Sequence, residues 1–147
     1  MTMTIEQVQT RSPVNLAGRG AVAGLAGGLL FGLMMYMGGM LPMVGMLVRQ
    51  ENSLVGFIVH MVISVVLGAI YGIIAGRRSL TITSGVIGGL IYGVVWWILG
   101  ALILMPLLLG MTQMVLVIGG AQWMSLIGHL LYGLVTGLIF VPLARRE

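Results

Sequence analysis

The chain contains no cysteine, no lysine and no aspartate. Without cysteine there is no thiolate nucleophile, no iron–sulfur ligation and no disulfide. Without lysine there is no Schiff base to retinal or pyridoxal phosphate. Charge of either sign is scarce: seven Arg and three Glu are 7 % of the 147 residues, against roughly 25 % in an ordinary domain. Glu6, Glu51 and Glu147 all lie at or beyond the ends of apolar stretches. No carboxylate is therefore placed to relay protons through a membrane or to bridge a metal pair.

What remains is apolar. Residues of that kind make up 59 %, with 24 Gly and 13 Met, and the mean hydropathy is +1.15. A chain of this length has room for one domain, and this composition makes it a multi-pass membrane protein. The high isoelectric point, about 10.4, reports membrane topology rather than nucleic-acid binding in so uncharged a chain.

Residues 1–15 read as a short tail retained on the protein: they lack the charged n-region and cleavage site of a signal peptide. Ser12-Pro13 is a helix-start signal. Spans are expected at about 16–41, 54–76, 82–105 and 121–143, in one four-helix all-α transmembrane domain, each exceeding the ~20 apolar residues that cross a ~30 Å core. Arg49 to Ser53 is a polar turn, and Thr81, Thr83 and Ser84 offer caps for span 3. Segments 43–48 and 106–120 are connections without a charge. Backbone at membrane depth must be helical or buried by protein, so they extend helices, lie along the interface or dock on another subunit.

Arg11, Arg19, Arg77, Arg78, Arg145 and Arg146 fall on one side of this plan and Arg49 alone on the other. The positive-inside rule then places both termini in the cytoplasm, most simply at the plasma membrane of a prokaryote.

Small residues recur every four positions in each span: Gly20, Gly24, Gly28 and Gly32; Ser64, Gly68, Gly72 and Gly76; Gly85, Gly89 and Gly93; Gly133 and Gly137. Such a flat stripe, a glycine zipper, lets helix backbones approach closely where packing rather than hydrophobicity holds helices together. A tight bundle is expected, or one that buries a further face in a partner.

The two halves also resemble each other. Gly28-x-x-Phe31-Gly32 matches Gly89-x-x-Tyr92-Gly93 at an offset of 61, as Tyr71-Gly72 matches Tyr132-Gly133. His60 and His129 match at 69 and the Arg pairs at 68, so the registers conflict. Two tandem hairpins would be related by a pseudo-two-fold axis along the membrane normal.

His60 and His129 are, tyrosines apart, the ionisable side chains that can lie inside the bilayer. They stand 17 and 16 residues before Arg77 and Arg145, roughly 25 Å above them at 1.5 Å per residue. Each heads a small-residue stripe and so should face packing rather than lipid. One reading has both imidazoles ligating a haem b axially. A second has them bonding a quinone or lipid head group, with Tyr71, Tyr132, Trp123 or Gln122 nearby. The plainest has each bonding a neighbouring carbonyl or hydroxyl, with no cofactor and no metal. Trp96 and Trp97 face about 100° apart in mid-span, so at least one should meet lipid, a partner or a ligand. Trp123 and Gln122 fit an interfacial anchor, and Tyr36, Tyr71, Tyr92 and Tyr132 are expected to donate between helices. The methionine cluster from Met34 to Met46 reads as adaptable packing rather than soft-metal transport.

The run His129-Leu130-Leu131-Tyr132-Gly133-x3-Gly137 resembles a group of small four-span prokaryotic membrane proteins, the YagU-like inner-membrane proteins associated with acid resistance. The resemblance covers span 4 and the four-span plan, and it implies no catalytic residue. No nucleophile, base and orienting group assemble from the sequence. The expectation is a non-catalytic membrane subunit packed against a larger energy-converting complex, respiratory or photosynthetic, or against itself. The alternatives are a haem- or quinone-binding electron carrier and a small oligomeric solute or ion permease.

Overall fold

The computed structural model describes residues 12–77 and 80–145. The tail through residue 11, with Arg78 and Arg146, lies outside them. Helices α1 (Pro13–Met37), α3 (Ser53–Ala75) and α6 (Gly120–Ala144) are joined by a composite third span of α4 (Ile82–Trp96), a π-helical stretch (Trp97–Leu104) and α5 (Met105–Leu108). A short α2 (Leu41–Gly45) lies in the first connection. All four long helices are long and apolar enough to cross a membrane, and among the described residues there is no strand. The chain is an all-α, four-helix membrane bundle.

Local chemistry sets the ends. Pro13 stands in the first turn of α1, where its missing N–H costs nothing, although Ser12 makes no side-chain cap. Helix α1 stops at Met37, four residues before the boundary near 41 read from the sequence, because Gly39 turns the chain at φ +64°. The Asn52 side chain accepts from the N–H groups of Leu54 and Val55 at 2.8 and 3.2 Å, opening α3. Thr81 and Ser84 cap α4 reciprocally, each backbone N–H donating 2.9 Å to the other's hydroxyl.

The third span unwinds where Pro106 enters. Proline has no N–H for the carbonyl of Leu102, four residues earlier, and its ring crowds that carbonyl. The preceding stretch is π-helical, with Met105 N–H returning to the carbonyl of Gly100. Leu102 O is instead taken by the N–H of Leu116 at 2.9 Å. One proline thus makes the acceptor available that fastens the returning segment. Segment 106–120 is accordingly a short helical extension, a turn at Gly110 and an irregular return.

Within each half the small-residue stripes face each other. A Cβ at Gly24 would stand 2.5 Å from Ser64 O and 2.6 Å from Gly68 Cα; one at Gly28 would strike the Ser64 side chain at 2.5 Å. A Cβ at Gly72 would stand 2.9 Å from Gly20 Cα, and one at Gly32 3.2 Å from His60 Cδ2. In the second hairpin Gly85 faces Gly137, Gly89 faces Gly133, and Gly93 faces the backbone of His129. A Cβ at any of the twelve stripe glycines would stand within 3.0 Å of another atom of the chain.

These contacts resolve the conflicting registers. Gly24, Gly28 and Gly32 correspond to Gly85, Gly89 and Gly93 at 61, while Gly68, Ser64 and His60 correspond to Gly137, Gly133 and His129 at 69. Both offsets hold, one for each helix of the hairpin. The eight-residue difference lies in the outer connection, longer in the second half, where the π-helical stretch and the return sit. The match of Tyr71-Gly72 to Tyr132-Gly133 is coincidental, since Gly72 faces Gly20 and Gly133 faces Gly89.

The hairpins dock one-sidedly. Helix α1 packs along α6, where a Cβ at Gly27 would stand 2.7 Å from Thr136 Oγ1 and 2.7 Å from Tyr132 O. The backbones of α3 and α4 scarcely approach each other. A dyad along the membrane normal would make these two contacts equivalent, so the repeat extends to the hairpins and not to their docking.

Candidate functional site

The two histidines meet at one aromatic ring. Phe31 of α1 contacts His60 edge-on, with centroids 5.2 Å apart, and His129 at 4.8 Å. The spacing that put both histidines at one depth is therefore realised in space. The ring itself lies flush on Gly128, where a Cβ would fall inside it. Gly128 stands outside the four-residue stripe of α6, and no periodicity in the sequence marks it or Phe31. The only available signal is that Phe31 precedes Gly32, as Tyr92 precedes Gly93.

Each imidazole spends a nitrogen on a backbone carbonyl. His60 Nε2 lies 2.9 Å from Gly28 O, and Ser64 Oγ is 3.4 Å from the same nitrogen. His129 Nδ1 lies 2.7 Å from Ser125 O, with Ser125 Oγ at 3.3 Å. A carbonyl only accepts, so the proton sits on Nε2 of His60 and on Nδ1 of His129. His60 is buried and ties α3 to α1; His129 is half-buried and bonds within its own helix. Phe31 stands between the two imidazoles, so a porphyrin ligated by both would have to displace that ring. The glycines flanking the pair receive Phe31 and neighbouring backbone rather than leaving a flat slot.

The tyrosines complete the same pattern. Tyr132 Oη donates to Ser64 O at 2.7 Å, Tyr92 Oη to Leu67 O at 2.6 Å and Tyr71 Oη to Gly85 O at 3.2 Å. Tyr36 differs: it is exposed at the end of α1. Trp97 is buried, donates Nε1–H to Gln122 O at 3.0 Å and stacks on the exposed Trp123. Trp96 packs its edge on Tyr92. Met35 is buried beside Phe31, with Met34 and Met40 against them, so these methionines fill core space. Among the described residues no group of three metal-ligating side chains is gathered.

Chemically, this centre holds helices. Both imidazoles and the tyrosines Tyr71, Tyr92 and Tyr132 bond main-chain oxygens, and the hydroxyls of Ser64 and Ser125 stand against the same imidazole nitrogens. No family model, curated protein or solved structure matches this chain.

Proposed function

We propose that this protein is a non-catalytic integral membrane subunit that docks its outer end on another membrane protein or on copies of itself. The observation that carries the reading is the returning segment 109–119. It is irregular, uncharged and apolar, and it leaves Leu116 57 % exposed with Val117 and Ile118 beside it. Leu116 also holds φ at 58°, a left-handed conformation that costs a bulky side chain free energy. Most of its backbone N–H groups are bonded within the chain, but those of Thr112, Gln113 and Ile118 make no bond among the described residues and would be unsatisfied in lipid. In water its side chains would form an exposed apolar patch together with Leu107, Leu108 and Met111. A covering protein surface removes both costs.

The small-residue stripes, expected to pack on a partner or on the chain itself, are consumed inside the chain, so a partner would meet the outer segment rather than the stripes. In this reading the arginine-rich end faces the cytoplasm of a prokaryotic cell. Respiratory and photosynthetic assemblies, which commonly hold small cofactor-free subunits, are the context by architecture alone.

The absence of cysteine makes the test direct. Single cysteines at Leu108, Leu116 and Ile118 are labelled with a water-soluble thiol reagent in native membranes and again after detergent purification. The expected result is protection in the membrane that is lost on purification, with cross-links from Leu116 to a stoichiometric partner or to itself. Equal, rapid labelling in both states would show an aqueous loop and overturn the reading.

A further inference from the structure

A cleft of about 510 Å³ opens between α3 and α4, with α6 as its floor. It exists because the hairpins dock on one side only: Tyr71 and Tyr92, in edge contact at 5.2 Å, span the gap that backbones close elsewhere. The walls include Ile74 of α3, and Gly88 and Ile91 of α4, with Phe140 below. Ile74, Ile87 and Ile91 are exposed along its open side. Measured along α4 from Thr81 to Val95 it runs about 21 Å at 1.5 Å per residue, less than the ~30 Å core. That is too short for a partner's spanning helix and suited to a chain from one leaflet.

The mouth is polar and cationic. Val141 lines the cleft, and Arg145, one helical turn on, shares its face. Arg145 Nε donates to Leu80 O at 2.7 Å, which fixes the guanidinium at the mouth. Its Nη groups have no partner among the described residues. Arg77 lies at the same end, at the close of α3. The only described glutamate, Glu51, is at the opposite end, and in the sequence Glu147 is the one acid beside Arg77, Arg78, Arg145 and Arg146. A guanidinium matches a phosphate with paired donors.

We propose that this cleft holds one acyl chain of an anionic phospholipid, with its phosphate bound by Arg145 at the mouth. The apolar walls and the rings of Tyr71 and Tyr92 take the chain, and the charge selects the head group.

Gly88 supplies the variant that separates the site from the fold. A Cβ there would meet nothing nearer than Tyr71 Oη at 3.5 Å, so the side chain of Gly88→Leu enters the cleft against a side chain rather than against backbone. The full chain is exchanged into nanodiscs of phosphatidylglycerol and phosphatidylcholine with matched chains, and lipid retained after detergent extraction is counted by native mass spectrometry. The expected result is at least fivefold preferential retention of one phosphatidylglycerol, parity between the lipids in Arg145→Gln, and loss of both in Gly88→Leu at unchanged helicity. Equal retention of the two lipids by the parent chain overturns the proposal. So does displacement by inorganic phosphate alone, or a dimer that carries no lipid and shields the cleft. Should Gly88→Leu not fold, a phosphatidylglycerol with a photoreactive chain terminus decides: cross-links around Tyr71 and Tyr92 support the site, and cross-links confined to the outer face of α1 refute it.

Discussion

The hydroxyl of Tyr132 donates to the carbonyl of Ser64 at 2.7 Å, across 68 positions of sequence and from one hairpin to the other. The bond passes directly over Gly24, where a Cβ would stand 3.0 Å from the tyrosine oxygen. It is the point at which α1, α3 and α6 are joined, and it relies on α1 having no side chain there.

Tyr132→Phe keeps the ring and removes only this bond. Interhelical hydrogen bonds in membranes average about 0.6 kcal/mol and reach about 1.7, and a buried carbonyl loses its second partner. A loss of about 1 kcal/mol is expected in reversible unfolding in mixed micelles. An unchanged midpoint would remove the bond from any account of hairpin docking.

Replacement of a stripe glycine should cost more. At Gly89 a Cβ meets the carbonyl of Gly133, which is backbone and cannot rotate away, and at Gly28 it meets the Ser64 side chain. Gly89→Ala should destabilise by roughly 1–3 kcal/mol, the range for overpacking, and Gly89→Leu or Gly28→Leu should prevent assembly. Gly18 has nothing within 4 Å of a Cβ, so Gly18→Ala should be neutral or gain a few tenths of a kcal/mol of helix propensity. Equal effects of Gly18→Ala and Gly89→Ala would mean that composition, and not contact, governs these positions.

The histidine centre is predicted to be structural. A reduced-minus-oxidised visible spectrum of gently purified protein should be featureless, and His60→Ala with His129→Ala should remain folded at a cost of a few kcal/mol. Phe31→Ala, which empties the space between both imidazoles and Gly128, should cost more, about 3–5 kcal/mol. A sharp haem band abolished by either single histidine change would instead make the protein an electron carrier.

Pro106 offers a local test. Pro106→Ala restores an N–H that competes with Leu116 for the carbonyl of Leu102. Amide exchange at Leu116 should accelerate by about tenfold or more, the equivalent of roughly 1.4 kcal/mol, while the amides of α1 and α3 keep their protection. If Leu116 stays protected in the variant, the proline is not what frees that acceptor.

Much of this architecture is legible in the residues themselves. Four apolar runs, the cap at Thr81 and the break at Pro106 are local, because helix start, length and stop depend on a few neighbouring side chains and on hydrophobic thickness. The cap at Asn52 and the turn at Gly39 act as locally, although the residues there mark only a polar turn and an apolar run. So is the four-residue stripe, which records which face of each helix is bare, and so is the common depth of His60 and His129, which follows from rise per residue. Which bare face meets which is not local. Offsets of 61 and 69 look contradictory along the chain and become consistent only once two hairpins with unequal outer connections are paired. The insertion of Phe31 between the histidines, the choice of α1 and not α4 to pack on the partner hairpin, and the cleft left between α3 and α4 are likewise decided in the tertiary structure. Helical periodicity tells a residue which way it points on its own axis; the distance and rotation between axes depend on residues far apart in the chain, 32 positions for the bond of His60 to Gly28 O and 125 for that of Arg19 to Ala144 O.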